Sequence, residues 1–195
     1  MFKYLSSILA LVLMLSVSAG AAEWNIDAPH SSVGFSVRHL VVSKTTGHFS
    51  DFSGTVNFDG ENVAGGTAEW TIQVASIDTD DKKRDDHLRG ADFFDAEKFP
   101  TMTFKSSKVI PGEDGSFQLV GNLTIKDVTK EVTFDVEFNG VINDPWGGTR
   151  AGFSAGTKID RQDFGMSWNK ALDAGGVVVG NTVSIMIEVE LVKAS

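Results

Sequence analysis

The sequence predicts an all-β domain of antiparallel strands, closed as a barrel or stacked as a sandwich, with one short helical insert. Two observations predict the strands. Apolar and polar residues alternate with a period of two through most of the chain, and clusters of Gly, Asp, Asn and Pro separate the alternating runs. A third predicts the insert: residues 80–98 abandon the alternation and set Phe93 and Phe94 among charged side chains.

A short opening strand is expected at 24–27. Val33, Phe35 and Val37 define one face of the next strand, and Val56 and Phe58 that of another. Ala68, Trp70, Ile72 and Val74 continue the pattern. Asp80 and Asp81 ahead of Lys82, Lys83 and Arg84 then suit a helix start, with acids at the positive end of the helix dipole. Leu88 and Ala91 lie at i and i+3, so one side of this helix can be buried. Gly90 weakens it, and Pro100 ends any continuation. Strands resume with Met102 and Phe104, then Phe117, Leu119, Leu123 and Ile125, then Val132, Phe134, Val136 and Phe138, then Ala151, Phe153, Ala155 and Ile159. The last is the clearest: Val183, Ile185, Ile187, Val189 and Leu191 share one face, and Ser184, Glu188 and Glu190 the other. Turns are marked by Asp59-Gly60-Glu61-Asn62, Pro111-Gly112, Asp144-Pro145-Trp146-Gly147-Gly148 and Gly175-Gly176. Eight or nine strands result. Short turns pair them antiparallel, and one apolar face each requires a sandwich or a barrel. A lone helical insert in such a chain is a plug, a lid or a corner.

Residues 1–22 read as a cleaved secretory signal. Lys3 precedes an apolar run from Leu5 to Val17, too short for a comfortable bilayer span, and Ala19-Gly20-Ala21-Ala22 supplies small residues for cleavage. No integral membrane anchor is expected, and the mature domain, 23–195, begins near Ala22 or Glu23. Losing Lys3 takes the net charge from −9 to −10. A balance this acidic argues against nucleic acid and against electrostatic docking to anionic lipid. The chain has no Cys, so no disulfide, thiol nucleophile or thiolate metal site is available.

The interior is rich in Phe: the chain has 14 Phe and a single Tyr, and that Tyr lies in the leader. Phe can line a dry space without needing a hydrogen-bond partner. An eight-stranded barrel is wide enough to be filled by its own side chains or to hold one small ligand. Burying about 15 methylenes at roughly 0.8 kcal/mol each supplies about 12 kcal/mol before ordering costs are subtracted. An outer-membrane barrel, its apolar face outward, would need girdles of Tyr and Trp. The mature chain has no Tyr and ends without an aromatic residue.

No catalytic constellation stands out. His30, His39, His48 and His87 lack the helical i, i+4 spacing of a metalloprotease pair. Asp78-Thr79-Asp80-Asp81 opens like a calcium loop, but Lys82 and Lys83 occupy positions that need an oxygen ligand and Gly. A Gly-x-Ser-x-Gly elbow, a phosphate loop and a dinucleotide fingerprint are all missing. The expectation is a binding protein with neither metal nor cofactor, and not an enzyme.

Several motifs together resemble one family. Trp24-Asn25-Ile26-Asp27 with His30-Ser31, Val33-Gly34-Phe35-Ser36-Val37-Arg38-His39-Leu40, and Gly47-His48-Phe49 with Phe52-Ser53-Gly54 resemble the opening of the YceI-like proteins. Arg84-Asp85-Asp86-His87-Leu88-Arg89, Asp92-Phe93-Phe94-Asp95, Phe99-Pro100 and Gly121-Asn122-Leu123-Thr124-Ile125 extend the match, as does the run from Asp144-Pro145-Trp146 to Gly152-Phe153. The resemblance implies a single periplasmic, lipocalin-like, eight-stranded antiparallel barrel. Its ligand would be a long isoprenoid, such as a quinone or polyprenyl phosphate, or a similar fatty amphipathic lipid, bound, stored or transported in the apolar interior. With the parity of the strands, it implies Phe35, Val37, Trp70, Phe104, Leu123, Phe134, Phe153 and Ile185 as lining. His39, Arg84, His87 and Arg150 are its candidates to meet a headgroup. A homodimer is compatible with the pattern. The alternatives are an enzyme or stress-response factor acting on isoprenoid lipid, and a barrel that is filled and dry.

Overall fold

The computed structural model describes residues 21–173 and 175–194; the expected leader otherwise lies outside them. The chain forms β1 (Ala22–Ile26), β2 (Ser32–His39), β3 (Ser43–Phe49), β4 (Phe52–Phe58), β5 (Thr67–Gln73) and β6 (Ile77–Asp78), then α1 (Lys82–Arg89). Five long strands follow: β7 (Thr101–Pro111), β8 (Ser116–Ile125), β9 (Val128–Asn143), β10 (Thr149–Asp160) and β11 (Val179–Lys193). All pairings are antiparallel.

The segments build eight barrel strands, because three of those strands are interrupted. β1 and β2 form the first, separated by a turn at Ala28–His30 where Pro29 has no N–H to offer a ladder. β3 and β4 form the second, and β5 and β6 the third. β11 closes the ring: Val33 and Phe35 pair with Ile187 and Ile185 in its first part, while Trp24 and Ile26 pair with Lys193 and Leu191 at its end. The fold is the expected closed eight-stranded antiparallel barrel.

Alternation sets the two faces. On β9, Glu131, Thr133, Asp135 and Glu137 are exposed, while Phe134 and Val136 are buried. Apolar side chains therefore face inward and polar ones outward, the reverse of an outer-membrane barrel. At the end that holds the termini, Trp24 stacks on Phe58 (centroids 4.9 Å) and Phe138 on Phe153 (4.9 Å), with Phe58 edge-on to both phenylalanines of that second pair.

One expectation is corrected. The helix is shorter than 80–98, spanning Lys82–Arg89. Gly90 stops it, not Pro100, and the Asp81 carboxylate caps its start by accepting from the Arg84 amide (3.1 Å). Ala91 thus falls outside the helix and is exposed. A strand that the alternation does not mark is β3, which lacks an apolar period yet pairs with β2 from Val33 to His39.

The insert is a corner of the wall. β5 pairs with β7 only as far as Gln73 and Thr101, and its continuation β6 reaches β3 only at His48 and Phe49. Beyond those points the sheet has a gap, and Leu88, Phe93 and Phe94 close it from the insert. Polar anchors fix them. Arg89 donates to the carbonyls of Ala75 (2.8 Å) and Ile77 (2.7 Å). Buried Asp85 accepts from both the amide (2.9 Å) and hydroxyl (2.5 Å) of buried Thr79. Asp85→Ala removes the acceptor from two buried donors, and the expected loss is about 2–4 kcal/mol of unfolding free energy. Urea titration at neutral pH, with the slope unchanged, checks this.

Candidate functional site

The inward faces of the strands and the insert enclose a cavity of about 220 Å³. Its lining runs from Val63 and Val109, beside the aromatic stack of Trp24 and Phe58, to Val37 and Val179 at the insert end. Since a water needs ~10–15 Å³ of such space, the cavity holds on the order of fifteen to twenty water- or methylene-sized groups. All eight side chains expected to line it do so: Phe35, Val37, Trp70, Phe104, Leu123, Phe134, Phe153 and Ile185. Trp70, Phe104 and Leu123 lie abreast on three adjacent strands, and the rings of Phe104 and Phe134 meet edge to face at 5.3 Å.

Two glycines make room for these rings. A Cβ on Gly47 would stand 2.5 Å from the Phe35 ring, and one on Gly121 2.5 Å from the Phe104 ring. With no side chain at either position, both rings lie along the wall. The sequence carried this only as an irregularity: inward positions on β3 are Thr45 and Gly47, which break the apolar period.

Among the described lining residues the polar side chains are Thr67, Thr103 and Arg161. Arg161 was not expected. It opens a segment, 161–178, that leaves β10 and returns to β11, and it is buried. Its Nε donates to the Gly180 carbonyl (3.0 Å), and its Nη atoms donate to the carbonyls of Met166 and Val179. Burial pushes its guanidinium below the usual value. The same segment brings Met166 to the cavity and Trp168 against His87 and Phe93.

The four polar residues expected near a headgroup are dispersed, and none of them lines the cavity. His39 ends β2, opposite Ser43. Arg84 donates to the Thr79 hydroxyl (2.8 Å) and carbonyl (2.6 Å). His87 pairs with Asp92 (2.9 Å) and sits edge-on to Phe93 and Trp168. Arg150 lies at the other end of the barrel, on the outer face, where it binds Asp144 (2.7 Å), Asp27 (2.5 Å) and Glu190.

The Arg150 network also accounts for one His. Asp27, His30 and Glu190 bring three ligand-type groups together, but the guanidinium already bonds both carboxylates. Its hydrogen bonds hold Asp27 and Asp144 below the ordinary carboxylate value of 3.8, and the same pairing raises Arg150. Carboxylates with lowered folded-state values stabilise the fold above the unfolded value and lose that contribution as the pH falls through the folded one.

A closed eight-stranded antiparallel barrel around a cavity walled almost wholly by apolar side chains defines the class of architecture. Comparison with known proteins places it more narrowly. The YceI-like domain matches residues 24–191, and the chain belongs to that family. Protein YceI of Salmonella newport is 41% identical over 187 residues, covering 95% of this chain and 94% of its own. Among solved structures, Burkholderia cenocepacia BcnA superposes with a TM-score of 0.74 at 30% identity, covering 85% of this chain and 98% of that one. A polyisoprenoid binding domain from Saccharophagus degradans, implicated in plant cell wall breakdown, shares the fold with a TM-score of 0.64 at 17% identity, covering 88% and 98%.

Replacing Arg150 with Gln should destabilise the protein most above pH 3.8, with the difference from wild type shrinking as the pH falls through the lowered values of Asp27 and Asp144. Denaturant titrations at a series of pH values test the sign. A difference that grows on acidification would contradict the network.

Proposed function

We propose that the protein binds a long isoprenoid or similar amphipathic lipid inside the barrel, as a periplasmic carrier or store. The observation that carries this reading is the cavity itself: about 220 Å³ of space walled almost wholly by apolar side chains. Phe35, Val37, Trp70, Phe104, Leu123, Phe134, Phe153 and Ile185 are its proposed lipid contacts. A chain of about 15 methylenes gains about 12 kcal/mol on leaving water. Against a bilayer, which is equally apolar, the net transfer lies near zero, which suits exchange in both directions. The polyisoprenoid binding domain that shares this fold supports the ligand class. Binding is favoured over catalysis because the described lining holds no carboxylate, no His and no paired nucleophile and base. The periplasmic assignment rests on residues 1–22 acting as a cleaved leader.

Native mass spectrometry and organic extraction of the purified protein test the reading. A co-purifying lipid of defined mass is expected, and recovery of ligand-free protein even after incubation with isoprenoids would overturn it. Phe104→Asp places a charge in the cavity, and Ala155→Trp fills it from an inward position on β10. Both should abolish lipid retention; a folded Ala155→Trp protein that still retains lipid would refute the lining. N-terminal sequencing of protein recovered from the periplasmic fraction should begin near Ala22 or Glu23, and an intact Met1 would refute the leader.

A further inference from the structure

The β2–β3 hairpin ends in Leu40, Val41 and Val42, which are 39%, 58% and 83% exposed. Leu40 and Val41 both hold positive φ, 49° and 66°. Glycine enters that backbone region freely and Asn readily, whereas a β-branched Val does so at a cost. Exposed Val177 stands beside the tip, where the Leu40 amide donates to the Val178 carbonyl (2.9 Å).

Cations lie directly behind this apolar tip. Arg38 and Lys44 face each other across the β2–β3 pairing. Lys158 on β10 lines up with Ser184 on β11, and Ser184 with Ser36 on β2. The three cations border one shallow outer groove whose other walls are mostly the hydroxyls of Ser36, Thr182 and Ser184. Among the described residues none of the three has a carboxylate within 4.0 Å. In a chain of net charge −9 this is a local reversal of sign. Most acids at the same end are engaged: Asp86 with Lys82 and Arg89, Asp92 with His87, Asp85 with Thr79, and Asp160, opposite Thr182, with the Gln162 amide (2.9 Å), while Asp173 is exposed in the loop beside the tip. The opposite end also exposes apolar side chains, Trp146 and Ile142, but there Asp27, Asp144 and Glu190 surround a single Arg150. That end repels an anionic surface, and the hairpin end attracts one.

We propose that the hairpin end docks on an anionic phospholipid bilayer, with Leu40, Val41 and Val42 entering the headgroup layer and Arg38, Lys44 and Lys158 meeting the phosphates. The spacing fits. At about 3.3 Å per residue, Arg38 and Lys44 sit on the order of 7 Å behind the ends of the tip. Apolar elements that bind at an interface embed about 5–10 Å, so these cations reach the phosphates as the tip enters. Val37 and Val179 line the cavity at this same end, so docking turns that end of the cavity toward the membrane. The surface stands independently of what the cavity holds.

Flotation of the purified protein with phosphatidylcholine vesicles, with and without phosphatidylglycerol, tests the proposal. Wild type should float with the phosphatidylglycerol vesicles and largely fail to do so without it. The Arg38→Ala, Lys44→Ala double variant should weaken partitioning on the order of 25-fold, about fivefold per cation. Val42→Asp, at a position 83% exposed and outside the cavity lining, should lose flotation while keeping its circular dichroism spectrum and its cavity ligand. The proposal fails if wild type shows no preference for phosphatidylglycerol, or if both variants float as wild type does. It also fails if light scattering without lipid shows that Val42→Asp splits a dimer while flotation is unchanged, because the tip is then a contact between two copies.

Discussion

β11 pairs with two segments at once: its first part lies against β2 and its last residues against β1. Every other property of the molecule depends on the ring this closes. Closure removes the free edges of the sheet, fixes which face of each strand is interior, and sets the interior width by strand number. The interruption at Ala28–His30 lets the first strand serve this geometry, bending where Pro29 has no amide to pair. Inward positions then converge, and where Thr45 and Gly47 stand in place of large side chains they do not fill the space. The cavity is thus a consequence of closure with an under-filled wall.

The insert completes what the sheet leaves open. Leu88, Phe93 and Phe94 supply apolar surface, while Asp85, Arg89 and Thr79 tie them to backbone that would otherwise end unpaired. Polar chemistry is kept out of the interior in the same way elsewhere. Arg150 is held by three carboxylates on the outer face, and Arg161, though it borders the cavity, spends its donors on three carbonyls. What remains inside, among the described residues, is a wall of mostly apolar side chains with Thr67, Thr103 and Arg161 as its polar members.

Much of this was legible in the sequence because a period of two, once closure is granted, assigns each residue to a face. That is why strand parity, joined to the family resemblance, picks out the eight lining residues. β3 was illegible for the same reason: its inward residues are Thr45, Gly47 and Phe49, and two of the three carry no apolar signal. The helix end is hard to place from sequence because a Gly within a helical pattern can either weaken a helix or stop it, and Gly90 stops this one. Residues 161–178 carry no period, so Arg161 and Trp168 gave no warning of their place. The headgroup candidates were separated by tertiary structure, which puts Arg150 and Arg84 at opposite ends of the barrel. Net charge carries no such local information, since −9 averages over a surface on which Arg38, Lys44 and Lys158 border one groove.

The pairing of Trp24 with Lys193 joins the first strand of the barrel to the end of the last. A ring whose last seam involves its first and last strands cannot be sealed on a growing polypeptide. Loop-closure entropy has to be met across nearly the whole length before that seam returns any energy, so the late step in assembly is slow compared with hairpin formation. Until Leu191, Val192 and Lys193 arrive, β1 has only β4 to pair with, and the interior surface stays open to solvent. The chain is thus an open sheet until its last strand is in place, and a sealed container only afterwards.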